Sequence, residues 1–150
     1  MGEVISFGVE RTLVMVKPDA TGRNVAMRLL SRFEEEGLRV LAVKSARLSR
    51  ACAERFYQVH RGKPFFDALV DFVSSGPVVV ALLEGEGAIA RAREVMGATD
   101  PSQAQEGTLR RLYGTDVTRN AVHGSDSPES ASREMSFFFP EGEVISLWEG

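Results

Sequence analysis

Hydrophobic and polar positions along this chain switch repeatedly between a strand period and a helix period. Thr12 to Lys17 is a β-rich apolar run ended by Pro18-Asp19, which reads as a strand. The proline drives Lys17 towards an extended conformation and so puts its ammonium at the strand end. From about Asn24 to Glu36 the residues Val25, Leu29, Leu30 and Phe33 recur at helical spacing, and Gly37 follows as a stop. Arg39 to Leu48 reads as a second strand. Ser49 is placed to cap a helix carrying Cys52, Phe56 and Val59 on one stripe. A further helix, Phe65 to Ser74, turns Phe66, Leu69, Val70 and Val73 towards a core until Gly76-Pro77 breaks it.

Val78 to Leu83 is almost continuously apolar, as expected of a strand covered on both faces. Gly87 to Met96 reads as a helix. Residues 97–118 are rich in Gly, Thr, Asp, Ser and Gln and form a long loop with room for one helical turn at Thr108–Tyr113; such loops are usually functional. Arg119 to His123 is a short strand, and Ser127-Pro128 opens a final helix with cap and proline in their favoured places. Without its extra helices the order is β-α-β-β-α-β. This predicts an α+β, ferredoxin-like fold: a four-stranded antiparallel sheet flanked by helices, plus a helical hairpin and a long loop insertion. A doubly wound parallel sheet is the runner-up, but no Gly-rich turn follows the first strand.

Length and charge narrow the possibilities. The 150 residues suit one domain, 1–150, large enough to bury a core. A net charge of −3 leaves no global field for nucleic acid or an anionic membrane, so any bound anion needs local cations. No apolar run is long enough to span a bilayer, and the start does not read as a secretory signal. Met1 to Ser6 fits the N-myristoylation pattern, though a short extra strand or frayed terminus is the simpler expectation. Cys52 is the sole cysteine, expected as a buried core thiol in a reducing, cytoplasmic setting.

The chain lacks a P-loop and the protein-kinase motifs. One cysteine and two histidines cannot build a Cys/His zinc cluster. A Ser-His-Asp hydrolase has no G-x-S-x-G elbow here, although Ser125 and Asp126 beside His123 keep it formally open. What remains is the stretch from Arg119 to Ala131. His123 sits at a strand end, the glycine after it has no side chain and so permits close approach, and a helix begins just after, a setting that suits an imidazole meeting phosphate. Taken alone, the stretch reads equally well as a capped turn with a solvated histidine. Lys17, Arg93, Arg110 and Arg119 fall at element ends or in the long loop, where several cations suit a polyphosphate.

From Arg11 to about Phe139 the chain resembles the nucleoside diphosphate kinases. Their N-x-x-H-G-S-D signature stands as Asn120-Ala-Val-His123-Gly-Ser125-Asp126. The other blocks follow in register: Arg11-Thr12 with Lys17-Pro18-Asp19, Arg32-Phe33-Glu34 with Gly37, Tyr57, Pro64-Phe65-Phe66 with Leu69, Ser75-Gly76-Pro77-Val78-Val79, Met96-Gly97-Ala98-Thr99, and Gly107-Thr108-Leu109-Arg110. Arg111-Leu112 stands where relatives often carry Gly or Ala followed by Asp. The tail after Phe139 is shorter than in many relatives.

The resemblance implies that His123 takes a phosphoryl group on Nδ1 from a nucleoside triphosphate and passes it to a nucleoside diphosphate, by ping-pong kinetics. It also implies that Glu134 accepts from the other ring nitrogen with Ser125 in support, where a solvated carboxylate paired with Arg133 is the plainer reading. Arg93, Thr99 and Arg110 match residues that hold phosphates. Lys17, Tyr57 and Asn120 match residues near the transferred group and the sugar hydroxyls, and Phe65, Leu69 and Val117 match a base clamp of broad tolerance for ribo- and deoxynucleotides. Mg²⁺ is expected as cofactor, held mainly by nucleotide phosphates and water rather than by protein ligands. A homo-oligomer, hexamer or else tetramer, is implied as well. His60 has no matching role and is expected to be inert. Two rivals remain at this point: a phosphohistidine carrier that relays to a protein, and a ferredoxin-like domain that binds nucleotide without turning it over.

Overall fold

The computed structural model describes residues 8–140, so the Met1–Ser6 pattern and the tail from 141 lie outside the described residues. Its elements run β1 Val9–Val16, α1 Pro18–Thr21, α2 Ala26–Glu35, β2 Arg39–Arg47, α3 Arg50–Phe56, α4 Phe66–Val73, β3 Pro77–Glu86, α5 Ala88–Met96, α6 Leu109–Tyr113, β4 Val122–Gly124 and α7 Pro128–Phe138. Short 3₁₀ turns occupy Gln58–His60 and Pro101–Gln103. The four strands form one sheet in the order β2-β3-β1-β4, and every neighbouring pair is antiparallel. This is the expected α+β arrangement.

Strand alternation divides the interior into two apolar layers. Leu13 and Met15 of β1, with Val78, Val80 and Leu82 of β3, pack against α3, α4 and α7 through Phe56, Val70 and Phe138. Val14 and Val16, with Ala81 and Leu83, pack on the other side against Leu29, Leu30 and Phe33 of α2 and Ala92 and Met96 of α5. The unbroken apolar run in β3 therefore has the cause expected for it: both faces of that strand are covered.

Boundaries shifted where polar residues pair rather than bury. β1 begins at Val9, because Arg11 reaches Glu84 across the sheet at 3.0 Å, an ion pair that carries no hydrophobic signal. Pro18 ends the strand and also opens α1, since Lys17 is extended (φ −85°, ψ 165°) and serves as the N-cap. Ser49 caps α3 by accepting from Cys52 N–H. Val59 is not on that helix stripe; it lies in the 3₁₀ turn and is exposed. Cys52 is half-buried against the first layer rather than fully interior. No described helix is long and apolar enough to cross a membrane.

Candidate functional site

β4 pairs with β1 so that His123 stands opposite Met15. Its ring therefore projects into the layer beneath α3 and α7, where Phe56 and Tyr57 present their edges at centroid distances of 5.3 and 5.6 Å. The side chain keeps 20% exposure. Its Nε2 lies 2.6 Å from Glu134 Oε1, and Ser125 Oγ donates to that same oxygen at 3.0 Å. Glu134 and Ser125 are both buried. An ionised carboxylate only accepts, so the proton sits on Nε2 and the lone pair on Nδ1. Nδ1 has no hydrogen-bond partner among the described residues.

Arg133 also touches Glu134, at 3.6 Å from Oε2, and donates to Phe56 O at 3.2 Å. Of the plainer reading of Glu134, the pairing with Arg133 is present on the carboxylate's second oxygen, but the carboxylate is buried rather than solvated. A sequence signal for Glu134 did exist: Ala131, Glu134 and Phe138 are the buried positions of α7, so a carboxylate occupies its apolar stripe.

Glycine follows His123 for a packing reason, not for access. Gly124 faces the opposite side of the sheet, where an added Cβ would come within 2.6 Å of Met96 Sδ. Gly97 is similar: its φ is +86° and an added Cβ would strike Thr108 Oγ1, which closes the 97–108 turn tightly enough for Gly97 O to accept from Arg110.

Two cations are buried beside the β4 strand. Lys17 donates from Nζ to Thr118 O at 2.8 Å and to Asn120 Oδ1 at 2.9 Å. Burial, reinforced by the Arg110 charge, brings its pKa down to about 8, with Asp19 and Asp116 pulling the other way. That fall corresponds to about 3 kcal/mol of unfavourable surroundings for the ammonium in the free protein. Arg110 donates to Gly97 O at 3.0 Å and to Val122 O at 2.9 Å. Burial and neighbouring Arg93 lower its pKa to about 10. The Tyr57 hydroxyl is buried without a hydrogen-bond partner, and burial with the nearby Glu134 charge pushes its pKa up. It is therefore a neutral donor waiting for an acceptor.

Asn120 ties three segments together, since its amide also donates to Thr99 O at 2.9 Å and Val117 O at 3.2 Å. Thr99 is exposed, and Arg93 is exposed in the last turn of α5. Arg93 lines a cavity of about 1230 Å³ with Gly97, Asp126 and Ser127, adjoining the site but not lined by His123. Asp126 is held below the usual carboxylate range by the Ser130 hydroxyl and by Arg93. Among the described residues no group of three or more His, Cys, Asp or Glu is arranged to hold a metal.

Phe65 is the N-cap of α4 and 45% exposed, with half-buried Leu69 one turn on. Val117, 57% exposed, lines a cavity of about 570 Å³ against Ala68 and Phe72 of α4. Arg119 is not gathered into the site; it pairs with Asp116 at 3.6 Å in the open. His60 stacks beside Tyr57 at 6.3 Å and edges Phe65 at 5.2 Å, closer to the site than its sequence setting suggested.

A family model described as nucleoside diphosphate kinase matches residues 10–144. The chain belongs to that family. It is 53% identical over 137 residues to the nucleoside diphosphate kinase of Persephonella marina, covering 91% of this chain and 98% of that one. The Burkholderia multivorans enzyme is 54% identical over 138 residues, covering 92% and 98%. Among solved structures, Aquifex aeolicus nucleoside diphosphate kinase superposes with a TM-score of 0.89 at 48% identity, over 92% of this chain and all of that one. A Halobacterium salinarum nucleoside diphosphate kinase in complex with CDP gives 0.87 at 40% identity, over 94% and 98%. Membership makes the chain a phosphotransferase of nucleotide metabolism, and neither the carrier reading nor the non-catalytic one is favoured.

Proposed function

We propose that this nucleoside diphosphate kinase works through His123, whose Nδ1 lone pair attacks the γ-phosphorus of a nucleoside triphosphate. The N–P bond forms as the bond to the β,γ-bridging oxygen breaks, and that electron pair leaves with the nucleoside diphosphate. A terminal oxygen of a second diphosphate then attacks the phosphohistidine, and the N–P electrons return to the imidazole. The observation that carries this reading is the fixed ring: Nε2 is held by buried Glu134 while Nδ1 has no hydrogen-bond partner among the described residues, and buried Lys17 and Arg110 are bonded to the segment 118–122 just before it.

Glu134 and Ser125 keep the tautomer and the aim of the ring. Lys17, Tyr57 and Arg110 supply charge and donors where the equatorial oxygens gain negative charge, and donors fixed in a dry site need no reorganisation during transfer. Arg93, Thr99 and Asn120 bind phosphates and sugar, while Phe65, Leu69 and Val117 clamp the base by its faces, which every base presents. Asp126, which lines the adjoining cavity with Arg93, would be the residue to hold a water of a Mg²⁺ bound with the nucleotide, and the ion would supply charge neutralisation to the phosphates. We also propose one domain over 1–150, a homo-oligomer of six or four copies, and a cytoplasmic location.

The test is intact mass. With Mg²⁺ and ATP the protein gains one phosphoryl group, and added GDP removes it as GTP appears. Phosphate that stays on the protein despite GDP points to a carrier, and no gain at all removes the mechanism.

Lys17 sets a pH limit. Its ammonium is the useful form and is present below about 8 in the free enzyme, so kcat/KM falls as pH rises through that value. Bound phosphates favour the ammonium and move the fall in kcat to higher pH. Rates measured from about pH 6 to about pH 10 check this; a flat kcat/KM to the upper end contradicts it. The stability term has the opposite sign. The unfolded lysine still holds its proton between about 8 and 10.5, so this group adds stability as pH rises across that window.

A further inference from the structure

Ala121, two residues before His123, is fully buried and has φ +74°. Val122 N–H donates to Asn120 O at 2.9 Å across it, a γ-turn of the positive-φ kind, which is rare and strained for a residue bearing a Cβ. Such a conformation persists only where its surroundings enforce it. Here one short segment does so from both sides. Lys17 N–H donates to Ala121 O at 2.8 Å, and Ala121 N–H donates to Asp19 Oδ2 at 3.0 Å. Lys17 then reaches Asn120 with its ammonium, so the peptide units on both sides of Ala121 are fixed by residues 17 and 19.

Asp19 stands in the first turn of α1, where an acid ordinarily serves the helix terminus. Its carboxylate instead spans the chain to Ala121, and its other oxygen is buried without a hydrogen-bond partner among the described residues. We propose that Asp19 is a positioning residue: by holding Ala121 in the positive-φ turn, it sets the direction in which β4 presents His123 to the transferred phosphoryl. Without that bond Ala121 relaxes towards negative φ, the Val122 peptide rotates, and the imidazole shifts against Glu134. This inference rests on His123 being the phosphorylated residue.

The measurement is the single-turnover rate of phosphohistidine formation at saturating Mg·ATP, read beside KM. Asp19→Ala slows formation by about 10- to 100-fold, the scale of a small misplacement of reacting atoms, with KM little changed. Asp19→Asn keeps an oxygen acceptor for Ala121 N–H and stays within about fivefold of wild type. Adding Ala121→Gly to Asp19→Ala recovers about fivefold or more, because glycine adopts positive φ without a brace.

A raised KM with an unchanged rate overturns the inference, as does a double variant that recovers nothing. Asp19→Asn slower than wild type by about tenfold or more also overturns it, by showing that the charge and not the turn matters. That comparison with wild type decides the point even if Asp19→Ala does not fold. A wild-type protein that forms no phosphohistidine at 123 fails the underlying reading instead, which keeps the two failures apart.

Discussion

His123→Ala abolishes the phosphoenzyme and lowers turnover by about 10⁴-fold or more, because the two-step route disappears with its nucleophile. Direct transfer between two bound nucleotides would need both to occupy one site in line, and the buried ring of Phe56 and the α7 helix close the far side of the imidazole. The fold survives the change. The ring is partly open, its contacts are edge contacts to Phe56 and Tyr57, and the sheet packs through Met15 and Val122. The variant therefore binds nucleotide, melts close to wild type, and shows no mass gain with Mg·ATP. Turnover within tenfold of wild type would remove His123 from the mechanism.

How much of this was visible in the residue order follows from where each partner lies. Apolar periodicity located β3, α2 and α5, because each buries a face against the sheet and the burial is written locally. Ser49, Thr108 and Ser127 were legible as helix starts because a cap bonds within its own turn. β4 was misplaced by the same logic. A run from Arg119 to His123 looks like a strand, but Asn120 and Ala121 form the tight turn before it, and nothing in the composition of alanine announces a positive φ. The turn is imposed by Lys17 and Asp19, about a hundred residues away in sequence, so it exists only in the folded chain.

The site divides along the same line. The signature around His123 and the loop cations could be matched to a family pattern. The lowered pKa values of Lys17 and Arg110 could not be seen, because they come first from burial by distant segments, and then from the Arg110 charge on Lys17 and the Arg93 charge on Arg110. The same is true of Phe56, whose ring shapes the imidazole pocket although its sequence setting reads as core alone. Gly124 carried a correct residue for the wrong reason: strand alternation turns it away from the His123 ring and towards Met96.

Glu134→Ala is the change expected to cost most after loss of the nucleophile, about 10²-fold in the rate of phosphoryl transfer. Its carboxylate does two things at once. In the resting enzyme it accepts from Nε2–H and keeps the lone pair on Nδ1; removal lets the proton take either nitrogen, so part of the population presents the wrong tautomer. During transfer the ring gains positive charge, and a buried anion at 2.6 Å stabilises that charge more than it stabilises the neutral ring. The first role survives in Glu134→Gln, whose side-chain oxygen still accepts, while the second does not. The glutamine variant therefore falls between wild type and alanine, at about tenfold slower. Ser125→Ala removes a donor from the same oxygen but leaves its charge, and costs only a few-fold. In all three variants KM for the nucleotide stays near wild type, because Glu134 meets the reaction through the imidazole. A rate unchanged in Glu134→Ala, or a loss that appears only in KM, would show that the 2.6 Å contact is an ion pair of the fold without a part in transfer.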